Sequence, residues 1–344
     1  MRVTVRSGFF VASSFFLGGS VGCDSAESHY GETSGGTSGA AATSGAAGRG
    51  GSAGISGSAG KGGSASGGAA SGGTSGSAGA TVTGGTGGTD VIGENGCTPG
   101  RMTTLGELRG RYGTLTPSIG GQQYFLQVNQ WNSMEPQIMA YGGDFFFKMT
   151  QQDASAPTTG GPAGYPSMFI GANADHVTVN SNLPKQVGAL TTVPTTWIWN
   201  DNGLMADEAA NIWNSAYDVW FSTNPAGEPS AYAPSGGYLM VWLYDPKAAQ
   251  PIGRVMYPAV TIDGVDGVWD VWVGTNSGKP CISYVRTEPS HVLSTDLNFF
   301  IRDAVANRPS TVSNDWYLSN VFIGFEIWKG SAGLETTSFC VTVN

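Results

Sequence analysis

The sequence predicts an all-β fold, an antiparallel two-sheet sandwich with one outer helix, confined to residues 97 to 344. Three observations predict it. From Cys97 onward the segments are short, alternate in polarity and are separated by Gly, Pro, Asn and Ser clusters, the pattern of half-buried strands joined by turns. Composition also changes at that point, from small residues to a mixture of apolar, aromatic and turn residues over about 250 positions, enough for one β domain. Finally, helical periodicity occurs convincingly in one place. Behind a capping candidate in Ser294-Thr295-Asp296, the residues Leu297, Phe300, Ile301 and Val305 recur at helical spacing, which predicts a helix packed on the outside of a sheet. Strands are predicted over 123–128, 217–221, 238–244, 268–273 and 321–328.

The first ninety-six residues are of another kind. Two arginines, an apolar run over residues 9–17 and then Gly-Gly-Ser-Val-Gly-Cys read as an export signal, too short for a permanent membrane span. Small residues directly before Cys23 resemble a lipobox, with Ser20 where such motifs usually carry Leu. The expectation is export, with a lipid anchor at Cys23 on the cell surface or outer membrane, or else cleavage and release. Residues 24–96 form a linker, and 33–90 are almost wholly Gly, Ser, Ala and Thr, which supply little area to bury. They read as a flexible tether or as low-complexity drift.

The formal charge is -9 with 16 Lys plus Arg and no basic cluster after Cys97, so a nucleic-acid partner is not expected. With Cys23 assigned to the lipid, Cys97, Cys281 and Cys340 remain, and any of three pairs is open. His29, His176 and His291 stand apart from other metal-ligating residues, so neither a catalytic metal nor another cofactor is expected. A monomer is expected.

Chemistry is concentrated in four pairs two residues apart: Asn129 with Trp131, Asp218 with Trp220, Asp270 with Trp272, and Glu326 with Trp328. A period of two places each pair on one strand face. A face that mixes carboxylates with indoles makes a costly core but a good sugar site. Indoles stack on the C–H faces of pyranose rings, and glycoside cleavage needs two carboxyl groups beside the bond. Most of the ten Trp are expected in ordinary packing, with Trp131 as the sugar platform.

These residues fall in runs that resemble glycoside hydrolase family 12. Asn129-Gln130-Trp131-Asn132 is similar to the family's Asn-x-Trp-Gly element, with Asn132 in place of Gly. Gly164-Tyr165-Pro166-Ser167-Met168-Phe169 resembles its Tyr-Pro-Ser strand and Ser215-Ala216-Tyr217-Asp218-Val219-Trp220-Phe221 its Ser-Tyr-Asp-x-Trp strand. Met240-Val241-Trp242-Leu243, Gln250-Pro251-Ile252-Gly253, Trp269-Asp270-Val271-Trp272, Asn314-Asp315-Trp316-Tyr317-Leu318 and Gly324-Phe325-Glu326-Ile327-Trp328 follow in the family's order.

The resemblance implies a curved jelly roll of the concanavalin A-like glucanase type, whose concave face takes β-1,4-glucan, mixed-linkage glucan or xyloglucan and hydrolyses it with retention. It implies Glu326 as general acid/base, Asp218 as the acidic neighbour of the nucleophile, and Asn129, Trp131, Met240 and Trp328 as substrate contacts. It also exposes two departures. The family's nucleophile Glu stands two residues before Met240, where this chain has Tyr238, and Gly171-Ala172-Asn173 replaces a frequent Gly-Cys-His. A phenol of reference pKa about 10 is about one part in a thousand ionised at neutral pH, so Tyr238 is no nucleophile unaided. Four readings stay open: Asp218 deprotonates Tyr238 for attack; Asp218, or failing it Glu228, activates water; the site binds glucan without turnover; or the domain is an adhesive surface protein.

Overall fold

The computed structural model describes residues 97 to 344; Cys23, His29 and the 24–96 linker lie outside them. Two sheets form the sandwich. The smaller runs in the order Gly106–Arg109, Gln137–Gly142, Phe145–Gln152, Glu335–Val341, Pro194–Asn200 and Val292–Asp296. The larger runs Arg254–Ile262, Val265–Asn276, Lys279–Arg286, Gly237–Tyr244, Ile212–Ser222, Tyr317–Lys329, Ser167–Asn173, Phe125–Gln127 and Thr114–Leu115. One pairing departs from the antiparallel expectation. Gly237–Tyr244 and Lys279–Arg286 run parallel, because the chain leaves Tyr244 for the sheet edge and meanders back inward through three strands before returning to its neighbour's side.

Alternation along the central strands decides what faces what. In Ile212–Ser222, Trp213, Tyr217, Val219 and Phe221 join the core between the sheets, where they meet Phe147, Trp197, Trp199 and Phe339 of the smaller sheet. Ala216 and Trp220 point the other way, into a second apolar cluster with Phe169, Tyr238, Met240, Trp242, Cys281, Phe322 and Trp328, to which no strand of the smaller sheet contributes. Both faces are therefore buried, which is why this strand and Tyr317–Lys329 read in sequence as near-continuous apolar runs.

The helix Asn298–Asn307 lies where the periodicity places it. Phe300 meets the ring of Trp269 edge-on at 5.0 Å and that of Tyr284 at 5.1 Å, so the helix covers core-side strands at the edge of the larger sheet. Asp296 serves the start of the helix, accepting from the Asn298 N–H at 2.9 Å and also from the Val193 N–H at 2.6 Å.

The cysteine question is answered by a disulfide between Cys97 and Cys340, with Cys281 a buried thiol. The bond ties Cys97, ahead of the Gly106–Arg109 strand, to the strand Glu335–Val341. Closing a loop across 243 positions restricts the unfolded chain strongly, so Cys340→Ser is expected to lower the unfolding free energy by about 2–5 kcal/mol. Urea denaturation checks this, and an unchanged midpoint would show that the bond is dispensable.

Candidate active site

The site is built on the outward face of three neighbouring strands. Asp218 lies opposite Met240 on one side and Phe322 on the other, Trp220 lies opposite Tyr238 and Asn320, and Asn214 lies opposite Glu326. Period two thus brings Asp218, Glu326, Tyr238 and Met240 to one face, and all four are buried. Space on this face is tight. A Cβ at Gly324, between Phe322 and Glu326, would stand 2.4 Å from the Pro166 carbonyl oxygen and 2.9 Å from the Tyr165 ring.

Asp218 is the group most altered by its surroundings. Burial pushes its carboxyl up to about 8, a hydrogen bond from Trp220 opposes this, and the charge of Glu326 adds to it. Its Oδ2 accepts from the Trp220 indole N–H at 2.8 Å, while its Oδ1 is buried and has no hydrogen-bond partner among the described residues. Burial and the charge of Glu326 thus favour its protonated form.

Tyr238 stacks on Trp220, with ring centroids 4.2 Å apart and planes 22° apart. Its hydroxyl accepts from the Asn276 side-chain amide at 3.1 Å. Trp220 thus holds both residues, one through its N–H and the other through its ring face.

Glu326 is gripped by Asn214 at two points. The Asn214 amide donates to Glu326 Oε2 at 2.5 Å, and the Glu326 backbone N–H donates to Asn214 Oδ1 at 3.0 Å. Sequence reasoning missed Asn214, Asn276 and the double role of Trp220. A signal existed for the first: Asn214 lies two alternations from Asp218, a polar residue on a strand otherwise of rings and small side chains.

The remaining expected contacts divide. Trp131 is half-buried at the margin of the outward cluster. Its loop is tied down by the Arg111 guanidinium, 2.6 Å from the Trp131 carbonyl, and by the Trp131 N–H to Ala163 O at 3.1 Å. Bridges from Gln130 to Gly164 and from Gly164 to Ile327 link that loop to the strand of Glu326.

The pairing of Asn129 with Trp131 does not arise from strand alternation as expected. Asn129 has φ of 46° and both residues lie outside the named strands, so the chain turns there. The Trp328 indole N–H donates to Gly160 O at 2.9 Å, and Asp270 accepts from the Ala259 N–H at 2.8 Å within its own hairpin. Glu228 belongs to a loop. Its Oε2 accepts from the Ser222 hydroxyl at 2.6 Å and from Ser235 N and Oγ at 2.7 and 2.6 Å. Partial burial raises its carboxyl, but these bonds and the charge of Lys279 outweigh that and hold it below the ordinary range.

Comparison with known proteins settles the family. The model for "Glycosyl hydrolase family 12" matches residues 122–344. The chain belongs to glycosyl hydrolase family 12. A probable cellulase of Mycobacterium tuberculosis is 28% identical over 48% of this chain and 100% of that protein. A probable xyloglucan-specific endo-β-1,4-glucanase of Aspergillus terreus is 32% identical over 46% of this chain and 59% of that protein. The structure of a metagenome-derived family 12 endoglucanase superposes with a TM-score of 0.61 at 29% identity, covering 71% of this chain and 99% of that one. Jelly-roll architecture, expected from the sequence, is thereby established for the family 12 domain.

The raised Asp218 carboxyl has a consequence for stability. Its folded pKa lies above its unfolded value near 3.9, so its contribution is fully present below about pH 4 and is lost as pH rises through about 8. Asp218→Asn, which cannot ionise, is expected to gain about 2–5 kcal/mol on the wild type between pH 4 and pH 8.5. Chemical denaturation at the two pH values measures this; a constant difference would mean that Asp218 ionises normally.

Proposed function

We propose that the family 12 domain holds a β-1,4-linked glucan, of the cellulose, mixed-linkage or xyloglucan kind, across the outward face of its larger sheet. In this reading Glu326 stands as general acid/base, Trp131 and Asn129 carry the adjoining sugar, and Met240 lines the floor beside Asp218. The observation that carries it is the gathering of Glu326 and Asp218, with Tyr238 and Trp220, on one face from three different strands. The names of the relatives, cellulase and xyloglucan-specific endoglucanase, support the substrate class.

Tyr238 occupies, in this proposal, the place of the family's nucleophile, and there it holds rather than attacks. Attack by a phenol needs a neighbouring base, but Asp218 accepts from Trp220 and its burial favours the protonated form. The same protonation disables Asp218 as a base for water, and Glu228 is committed to Ser222 and Ser235. At neutral pH the site therefore binds glucan with little turnover. A second reading has one observation in its favour. Since Asp218 ionises near pH 8, water-mediated hydrolysis would rise toward alkaline pH, with Asp218 as base and Glu326 as acid.

Export with acylation at Cys23 and a 24–96 tether is part of the same proposal, supported by the residues before Cys23 and the Gly/Ser/Ala composition. It would set a monomeric glucan-holding domain at a cell surface.

The test is reducing-end release from mixed-linkage glucan, xyloglucan and carboxymethylcellulose at pH 6 to 9, with affinity gels containing the same polymers. Wild type is expected to be retarded in the gel, and Trp131→Ala to lose most of that retardation. Tyr238→Glu is expected to raise hydrolysis at pH 6 by at least about tenfold, equivalent to 1.4 kcal/mol of barrier. Neutral-pH activity lost in Tyr238→Phe would restore the tyrosine mechanism. Activity indifferent to Glu326→Gln, or no retardation of wild type, would overturn the site.

A further inference from the structure

One oxygen of Asp218 is left without a hydrogen bond on the face proposed to take the glucan. Its Oδ2 accepts from the Trp220 indole N–H at 2.8 Å, while Oδ1 is buried and unpartnered among the described residues. The residue is 5% exposed, so bulk water does not serve that oxygen. The side chains opposite it on the two neighbouring strands are Met240 and Phe322, neither of them a donor or a strong acceptor. Tyr238, on the strand next to Asp218, directs its hydroxyl to the Asn276 amide at 3.1 Å and its ring onto Trp220. A buried polar atom in a native fold ordinarily has a partner, and one without calls for a reason.

We infer that Asp218 touches the sugar directly, as a carboxylic acid whose Oδ1 hydroxyl donates to an oxygen of the bound glucan. Trp220 decides which oxygen carries the proton. In a carboxylic acid the carbonyl oxygen is the better acceptor, so an indole N–H fixed at Oδ2 leaves the hydroxyl at Oδ1. A pyranose offers that hydroxyl several acceptors in its own hydroxyl, ring and glycosidic oxygens. The ionised form is served worse: it sets a second charge beside Glu326, with one donor at Oδ2 and none at Oδ1. The inference rests on the glucan lying across this face, and it gives Asp218 a task other than that of a base. A residue that must be protonated to hold the chain cannot activate water against that same chain at alkaline pH.

The titratable groups around Asp218 come from three elements. Glu326, on the strand to one side, supplies the charge that acts on it. Tyr238 lies on the strand to the other side, with the buried thiol of Cys281 one strand beyond. Tyr165 donates to the Ala216 carbonyl, on the strand of Asp218 itself, at 3.0 Å. Glu326 is the second acid, so the test is made in a Glu326→Gln background, which keeps its titration out of the result.

The experiment measures binding rather than activity. Cellohexaose is titrated calorimetrically into the full chain carrying Glu326→Gln from pH 6.5 to pH 9, with the fold checked at each pH by circular dichroism. Affinity is expected to fall about tenfold across that range as Asp218 ionises near pH 8. Binding at pH 8.5 is expected to take up as much as about one proton, read from the dependence of the heat on the ionisation enthalpy of the buffer. Adding Asp218→Asn, which exchanges the hydroxyl for an amide donor, is expected to keep the affinity level to pH 9 with no proton uptake. Adding Asp218→Ala is expected to weaken binding about tenfold at both ends of the range.

Affinity that rises with pH, or proton release on binding, would show a carboxylate accepting from the sugar and overturn the inference. Binding indifferent to pH and to Asp218→Ala would overturn it as well. Each of those results leaves glucan binding, and with it the proposed function, in place. A folded chain that binds neither cellohexaose nor xyloglucan at any pH removes both.

Discussion

Burial of two carboxyl groups on a sheet face otherwise made of rings and aliphatic chains is the constraint on which the rest depends. A strand repeats every two residues, so the sequence that sends Trp213, Tyr217, Val219 and Phe221 into the sandwich core necessarily sends Asn214, Asp218 and Trp220 to the other side. Neither acid can be hydrated there as on a surface, and each finds a different remedy. Glu326 receives an amide donor. Asp218 receives one indole N–H and, with its second oxygen unpartnered among the described residues, is pushed toward its protonated form.

Those remedies tie the chemistry to the architecture. Trp220 connects the protonation of Asp218 to the place of Tyr238, since one indole bonds the first and stacks on the second. Asn276 approaches Tyr238 from the end of the Val265–Asn276 strand, so the hairpin at the sheet edge reaches the centre of the site. On the other flank, Arg111 and the Gln130–Gly164–Ile327 bridges set the Trp131 loop beside the strand of Glu326. Trp220 alone among these connecting residues is shown touching two of the site's groups, Asp218 and Tyr238.

Much of this was legible in the sequence because it follows from alternation. The sandwich and the helix after Asp296 come from periodicity along single elements, whereas Asp218, Met240 and Glu326 were assigned to one site by the resemblance to the family. Contacts between strands were not legible. Asn214 and Glu326 are 112 positions apart and meet only through register, Asn276 meets Tyr238 from a third strand, and three cysteines allow three pairs until the fold places Cys97 beside Cys340. Asn129 and Trp131 show the limit of the periodic rule, since a left-handed residue broke the strand that alternation assumed. Glu228 shows another: an acid in a loop looked available until its serine partners were seen.

The central claim is that this face, and no other part of the domain, receives the sugar chain. The most direct measurement is a crystal structure of the protein at neutral pH with a cello-oligosaccharide of about six units, long enough to cross several strands at about 4.8 Å each. One ring is expected over Tyr238 and Met240 within hydrogen-bonding reach of Glu326, and another stacked on Trp131. An oligosaccharide seated beside the helix Asn298–Asn307, or a face closed to it at saturating concentration, would contradict the claim.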